Sequence, residues 1–235
     1  MALPARKHIS TGETIEKMTK KETENNKEQS YGGWDWQTKA LHWINAILII
    51  SLIILILGYE GLEDINKDFA KKLELLHIYA GHIFAVTFTL RVIWGFIGNK
   101  YARFSDMIPR TKEKIQGIKE NIKWYMGGCK TTPPHYKGHN PLASLFYLAL
   151  FVILGLQVAT GITLAGIEHD FFPGTLIASL VGKKNIESLE DFAEELHEFG
   201  FGFILFFIVA HLVGLIAHYA HDKGKQIKAM WFGSK

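Results

Sequence analysis

Four long stretches of this chain carry almost no charge, and that pattern decides what it can fold into. Asp, Glu, Lys and Arg are absent from Ala40 to Tyr59, from Leu75 past the single Arg91 to Asn99, from Thr131 to Ile167 apart from Lys137, and from Phe199 to His221. At about 1.5 Å per residue, the core of each stretch is long enough as a helix to cross roughly 30 Å of hydrocarbon. The sequence therefore predicts an all-α, integral membrane four-helix bundle, with spans over about residues 38–59, 75–98, 140–166 and 196–220. A soluble single-core domain is excluded. The overall composition, 48% hydrophobic and 21% charged, conceals the pattern because polar segments balance the spans.

Residues 1–33 are rich in Lys, Glu, Thr and Asn and contain no apolar run of the kind that marks a secretory signal, so they read as a mobile tail. The bundle is expected over residues 34–235, beginning at the interfacial aromatics Trp34 and Trp36. Lys and Arg are unevenly shared between the two faces. The N-terminal segment, the connection between the second and third spans and the C-terminal tail hold 20 of the 26; the two opposite connections hold 5; Arg91 lies inside the second span. By the positive-inside rule both termini are expected on the cytoplasmic side of a bacterial inner membrane. The opposite face is acidic, with Glu168, Asp170, Glu187, Glu190, Asp191, Glu194, Glu195 and Glu198 set against Lys183 and Lys184.

Both long connections are expected to contain interfacial helices. Ile115, Ile118, Ile122 and Tyr125 recur at helical spacing among lysines. In the acidic connection Ser188 and Asp191 read as a cap leading into the fourth span, and Asn140 followed by Pro141 reads as the start of the third.

Cys129 is the only cysteine, which excludes a disulfide framework, a cysteine-ligated cluster and covalent haem attachment through CxxCH. Any cofactor depends on other ligands, and the chain has 11 histidines. A polar side chain at membrane depth usually faces the bundle interior and has a function there. His197 and His211 are 14 residues apart, which puts them about 40° from alignment on one helix face and about 21 Å apart along the axis. Topology supplies a partner for each: His77 enters the membrane from the same face as His197, and His42 lies toward the cytoplasmic face with His211. Two bis-histidine sites result, His77/His197 and His42/His211. Paired imidazoles in a bundle core suit two b-type haems, and iron with both axial positions filled suits electron transfer. The competing reading is four histidines that hydrogen-bond between helices.

His218, seven residues after His211, is the rival ligand for the inner site, whereas His82 lies about 140° around the helix from His77 and cannot share its iron. Gly81, Gly200 and Gly214, near the ligands, allow either close approach of a flat macrocycle or simple helix packing. Arg91 falls at the inner level, where it can meet a haem propionate or snorkel to the surface.

From Trp34 to Lys235 the chain resembles the bacterial dihaem cytochrome b561 superfamily, in particular the b-type cytochrome subunits of nickel-iron hydrogenases. The resemblance rests on Trp34-Asp35, Leu41-His42-Trp43, His77 with Ala80-Gly81, Arg91-Val92-Ile93-Trp94-Gly95-Phe96, Gly98 to Phe104, Gly138-His139-Asn140-Pro141-Leu142, Leu196-His197-Glu198 and Ala210-His211. It implies His42, His77, His197 and His211 as haem-iron ligands, a periplasmic redox partner that is either a hydrogenase or a c-type cytochrome, and a membrane quinone. It also implies a quinone site near His139 and Asn140, where Asn140 has the alternative role of helix cap. The chain then serves as the electron-transfer subunit of an oxidoreductase complex, with quinone reductase activity and no nucleic-acid partner. Two other readings stand beside it: a self-sufficient superoxide:quinone or ferric oxidoreductase, and a haem-free transporter, which the lack of intramembrane Asp and Glu opposes.

Overall fold

A computed structural model of the chain describes residues 34–133, 136 and 139–231. The expected N-terminal tail lies outside these residues. The described residues are helices joined by turns, with no strand among them. The elements are α1 (Trp36–Leu62), α2 (Lys67–Ile97), α3 (Phe104–Met107), α4 (Lys112–Met126), α5 (Pro141–His169), α6 (Gly174–Val181), α7 (Ile186–Asp222) and α8 (Lys225–Trp231). Helices α1, α2, α5 and α7 are long and apolar enough to span a membrane. Each continues beyond its uncharged stretch, because polar residues outside the hydrocarbon extend the same hydrogen-bond ladder.

Side chains at the helix ends explain the boundaries. Asp35 Oδ1 accepts from Thr38 N at 2.9 Å to cap α1 and also accepts from Trp94 Nε1 at 3.3 Å, fastening the start of α1 to the end of α2. Burial alone would raise the Asp35 carboxyl, but these hydrogen bonds outweigh it and hold the group below its ordinary value. Asn66 caps α2 through Phe69 N, and Asn140 caps α5 through Leu142 N and Ala143 N. The acidic connection departs from expectation: α7 begins after Asn185 and runs unbroken for 37 residues, so Ser188 lies inside the helix. The separate helix in that connection is α6, whose Gly174 backbone packs directly on Gly166 of α5.

Helix α1 packs mainly on α2, and α7 mainly on α5; α2 and α5 join the two pairs. Phe84, Phe88, Ile153, Leu154 and Ile204 form the buried centre. Ile47, Ile54, Val86, Val152 and Val209 instead point outward, each more than half exposed. Helices that are apolar all round yet thinly covered by their own chain need hydrocarbon as their solvent.

Helix α4 lies against the start of α5, but not by the isoleucine stripe. Gly117, Asn121 and Trp124 form its buried seam, while Ile115 and Ile122 remain exposed. Asn121 is fully buried: its Nδ2 donates to Gly117 O at 2.8 Å and Tyr136 Oη at 3.0 Å, and its Oδ1 accepts from Asn140 Nδ2 at 2.7 Å. The polar seam clamps α4 to the bundle and leaves the isoleucines free for lipid.

Gly95 of α2 leaves room for the Phe104 ring, and a methyl group there would collide with it. Gly95→Ala should therefore destabilise the protein by about 1–3 kcal/mol. Gly61→Ala, where nothing lies within 4 Å, should not; thermal unfolding in detergent compares the two. For Asp35→Ala the expected loss is about 1 kcal/mol at neutral pH. Since the folded carboxyl is lowered, its contribution is complete above the unfolded value and disappears as pH falls through the folded one, so the Tm gap to wild type should close in acid.

Candidate functional site

The outer pair joins α2 to α7. The ring centres of His77 and His197 are 6.4 Å apart, with planes at 73°. His77 Nδ1 donates to the Leu52 carbonyl of α1 at 3.1 Å. His197 Nδ1 lies 2.9 Å from Thr160 Oγ1, and because that hydroxyl donates to Leu156 O at 2.8 Å, its oxygen is the acceptor for the ring N–H. Both histidines are thereby fixed as the Nδ1–H tautomer, leaving both Nε2 atoms to act as ligands. With metal–nitrogen bonds of about 2 Å and roughly 1.1 Å from each nitrogen to its ring centre, two imidazoles on opposite sides of one metal would have centres about 6.2 Å apart. The observed spacing fits. Gly81, one turn after His77, has nothing within 4 Å of where a Cβ would lie, so the backbone is open beside the pair.

The inner pair joins α1 to α7. His42 lies near both His211 and Arg91. His211 stacks on Phe207, with ring centres 5.9 Å apart and planes at 8°, and meets the edge of Tyr147 at 6.4 Å. Arg91 does not snorkel. Its guanidinium lies over the Phe151 ring at 5.1 Å, and its Nη1 is buried without a hydrogen-bond partner, as is His42 Nδ1. An unsatisfied buried donor is costly, and the remedy here is an anionic oxygen. A haem propionate meets that requirement.

Between the two levels lies the apolar waist of Phe84, Phe88 and Ile204. Ile204 is seven residues from each α7 ligand, midway along the helix. The four ligand candidates thus form two polar pairs separated by packed hydrocarbon.

The remaining histidines have other surroundings. His82 turns its Nδ1 back to the Ile78 carbonyl at 2.8 Å and packs on Phe171. His218 is buried against Trp124 and Tyr125 of α4, with ring centres 5.0 and 6.3 Å away. His221 Nε2 donates to Cys129 O at 2.8 Å. On the acidic side His169 pairs with Glu74 at 2.9 Å, bridging α5 and α2.

His139 lies at the inner end, its ring centre 5.6 Å from Trp34 and 6.0 Å from Tyr147. Its Nδ1 faces Asp106 Oδ2 at 3.4 Å, while Lys114 Nζ bonds to both Asp106 Oδ1 and the Asp106 carbonyl. Burial alone would raise the Asp106 carboxyl, but the hydrogen bonds and charges of His139 and Lys114 hold it below its ordinary value. The Asn140 side chain is committed to capping α5 and to Asn121, so its contribution is to fix the segment that presents His139.

Several of these residues escaped the sequence reading. Thr160 and Gln157 are polar residues one turn apart in an otherwise apolar span; that spacing was the available signal for a site-facing stripe. Gln157 packs against Gly200, where a methyl group would strike it, and its Oε1 is buried without a partner. Asp106 and Tyr147 carried no comparable signal.

Four helices long and apolar enough to span a membrane, with half-buried histidines on α1, α2 and α7, define a multi-pass membrane protein, and its family supplies the prosthetic group. The family model described as prokaryotic cytochrome b561 matches residues 33–233, and the chain belongs to that family. It is accordingly a membrane b-type cytochrome, whose prosthetic group is haem b. The probable Ni/Fe-hydrogenase 1 B-type cytochrome subunit of Escherichia coli is 27% identical over 138 residues, covering 55% of this chain and 57% of the relative. The chain thus spans little more than half the length of that relative. The probable Ni/Fe-hydrogenase B-type cytochrome subunit of Bradyrhizobium diazoefficiens is 24% identical over 214 residues, covering 83% and 81% respectively. Its Azotobacter vinelandii counterpart is 25% identical over 186 residues, covering 73% and 74%. No solved structure matches.

Thr160→Val keeps the shape of the side chain but removes the acceptor for His197 Nδ1. Haem affinity at the outer pair should fall about tenfold, in line with other groups that orient metal ligands. Titration of haem into the purified apoprotein measures the change, and the variant should differ from wild type at only one of its sites.

Proposed function

We propose that this chain binds two b haems, one held by His77 and His197 and the other by His42 and His211, and carries electrons across the membrane between them. The observation that carries the reading is the outer pair: ring centres 6.4 Å apart, with both Nδ1 atoms engaged and both Nε2 atoms left over. Haem supplies reversible one-electron chemistry at each site. The protein holds the ligands at two depths, excludes water from the waist between them and offers Arg91 to a propionate of the inner group.

The names of the relatives suggest a nickel-iron hydrogenase as the redox partner. The charge pattern favours a periplasmic partner on the acidic face, with the termini cytoplasmic in a bacterial inner membrane. Electrons delivered to the outer pair then cross to the inner one and reduce a membrane quinone near His139. Asn140 holds that segment in place from the α5 cap. Family membership favours this reading over a haem-free transporter.

His42→Ala and His211→Ala should each remove one haem of two and leave the other. Haem content per polypeptide and the dithionite-reduced minus oxidised spectrum report the result. Two haems with unaltered spectra in either variant would refute the pairing, and absence of b-type bands in the wild type would refute the cytochrome reading altogether.

A further inference from the structure

The inner end of the bundle holds an ordered series of polar and aromatic side chains that haem ligation does not use. Asp106 of α3 faces His139, whose ring contacts Tyr147 of α5, and Tyr147 in turn contacts the inner ligand His211. The series runs from a partly exposed carboxylate to the edge of the inner site: the Asp106 side chain is 19% exposed and that of His139 only 9%. We propose that Asp106 and His139 form the proton-delivery pair for quinone reduction, with His139 as the proton donor and Asp106 as the positioning residue that orients it and stabilises its protonated ring. This rests on the proposed reduction of quinone at the inner end.

The chemistry requires such a pair. Conversion of a quinone to its quinol consumes two electrons and two protons, and both C=O groups become C–OH. Bound haem b would supply the electrons one at a time; the protons come from water on the side of the chain termini. With Nδ1–H directed to the carboxylate, the protonated His139 ring donates its Nε2 proton to a quinone carbonyl and is left neutral, and Nε2 regains a proton from water on the side of the chain termini. Aspartate beside imidazole is a familiar means of fixing the tautomer and stabilising the protonated ring. The charged and titratable groups facing the pair are Lys114 from α4, which grips the other Asp106 oxygen, and Tyr147 from α5. Trp34 closes the remaining side of the His139 ring.

Asp106→Asn preserves the shape but removes the negative charge that orients Nδ1–H and stabilises the protonated ring. In the dithionite-reduced, haem-loaded protein, reoxidation by a short-chain ubiquinone or naphthoquinone is followed by stopped flow from acid to alkaline pH, with ferricyanide, which takes up no proton, as the reference oxidant. The ratio of the quinone rate to the ferricyanide rate should fall about tenfold or more in the variant, most steeply at alkaline pH. Asp106→Glu should restore it, and Lys114→Gln, which keeps the carboxylate but removes a charge that lowers it, should keep most of the ratio while moving the pH profile. Redox-difference infrared spectra of the wild type with quinone should contain a carboxylate signal that Asp106→Asn removes. A wild-type pH profile in the haem-loaded Asp106→Asn protein overturns the assignment of Asp106 alone. A wild type oxidised by ferricyanide but by neither quinone overturns the quinone reading itself. Should Asp106→Asn fail to retain haem, the infrared signal of Asp106→Glu decides: a shifted carboxylate band supports the pair, and no band overturns it.

Discussion

A histidine within a hydrocarbon-facing bundle has two ring nitrogens and no water to satisfy them, and this constraint organises the protein. At the outer site the chain satisfies one nitrogen of each ring itself, with Leu52 O for His77 and Thr160 Oγ1 for His197. Those contacts select the tautomer and turn the second nitrogen into a ligand. The acceptors come from α1 and α5, whereas the ligands come from α2 and α7. All four spanning helices therefore meet at this histidine pair, and the packing of the two helical pairs sets its geometry.

The same constraint explains why much of the site was legible in the sequence. The 14-residue separation of His197 and His211, together with the charge asymmetry of the connections, indicated two depths and the partner for each histidine without any side-chain detail. The cap at Asn140 and the four spans were equally plain, because uncharged length and capping chemistry are local properties. What was not legible depends on distant contacts. Asp106 looked like one acid among many until α3 brought it to His139, 33 residues away. Ser188 looked like a cap because Ser followed three residues later by an acid is a common signal, but nothing interrupts the ladder there and α7 absorbs it. On α4 the isoleucine stripe suggested an interfacial helix, in keeping with the exposed Ile115 and Ile122, but nothing local announced the neighbouring buried seam, where a polar network with Asn121 at its centre offsets its own desolvation.

The two ends of the bundle are constructed differently. On the acidic side a His169–Glu74 pair bridges α5 and α2 at the rim. On the basic side α3, α4 and α8 lie over the helix ends, joined by Asp35 to Trp94, Asn121 to Asn140, and Trp43 Nε1 to the Met230 carbonyl. The first face leaves the outer pair near a lightly covered, charged surface, and the second encloses the inner pair beneath aromatic and amide contacts.

Because His197 and His211 leave one unbroken 37-residue rod, the two sites share a mechanical degree of freedom. Rotation of α7 about its axis swings both rings through the same angle, and translation along the axis raises or lowers both together. Backbone movement of that helix cannot adjust one site without disturbing the other. Under the proposed assignment, any difference in potential between the two sites is therefore written in the groups they do not share, Thr160 and the Leu52 carbonyl at one level, Arg91 and Tyr147 at the other.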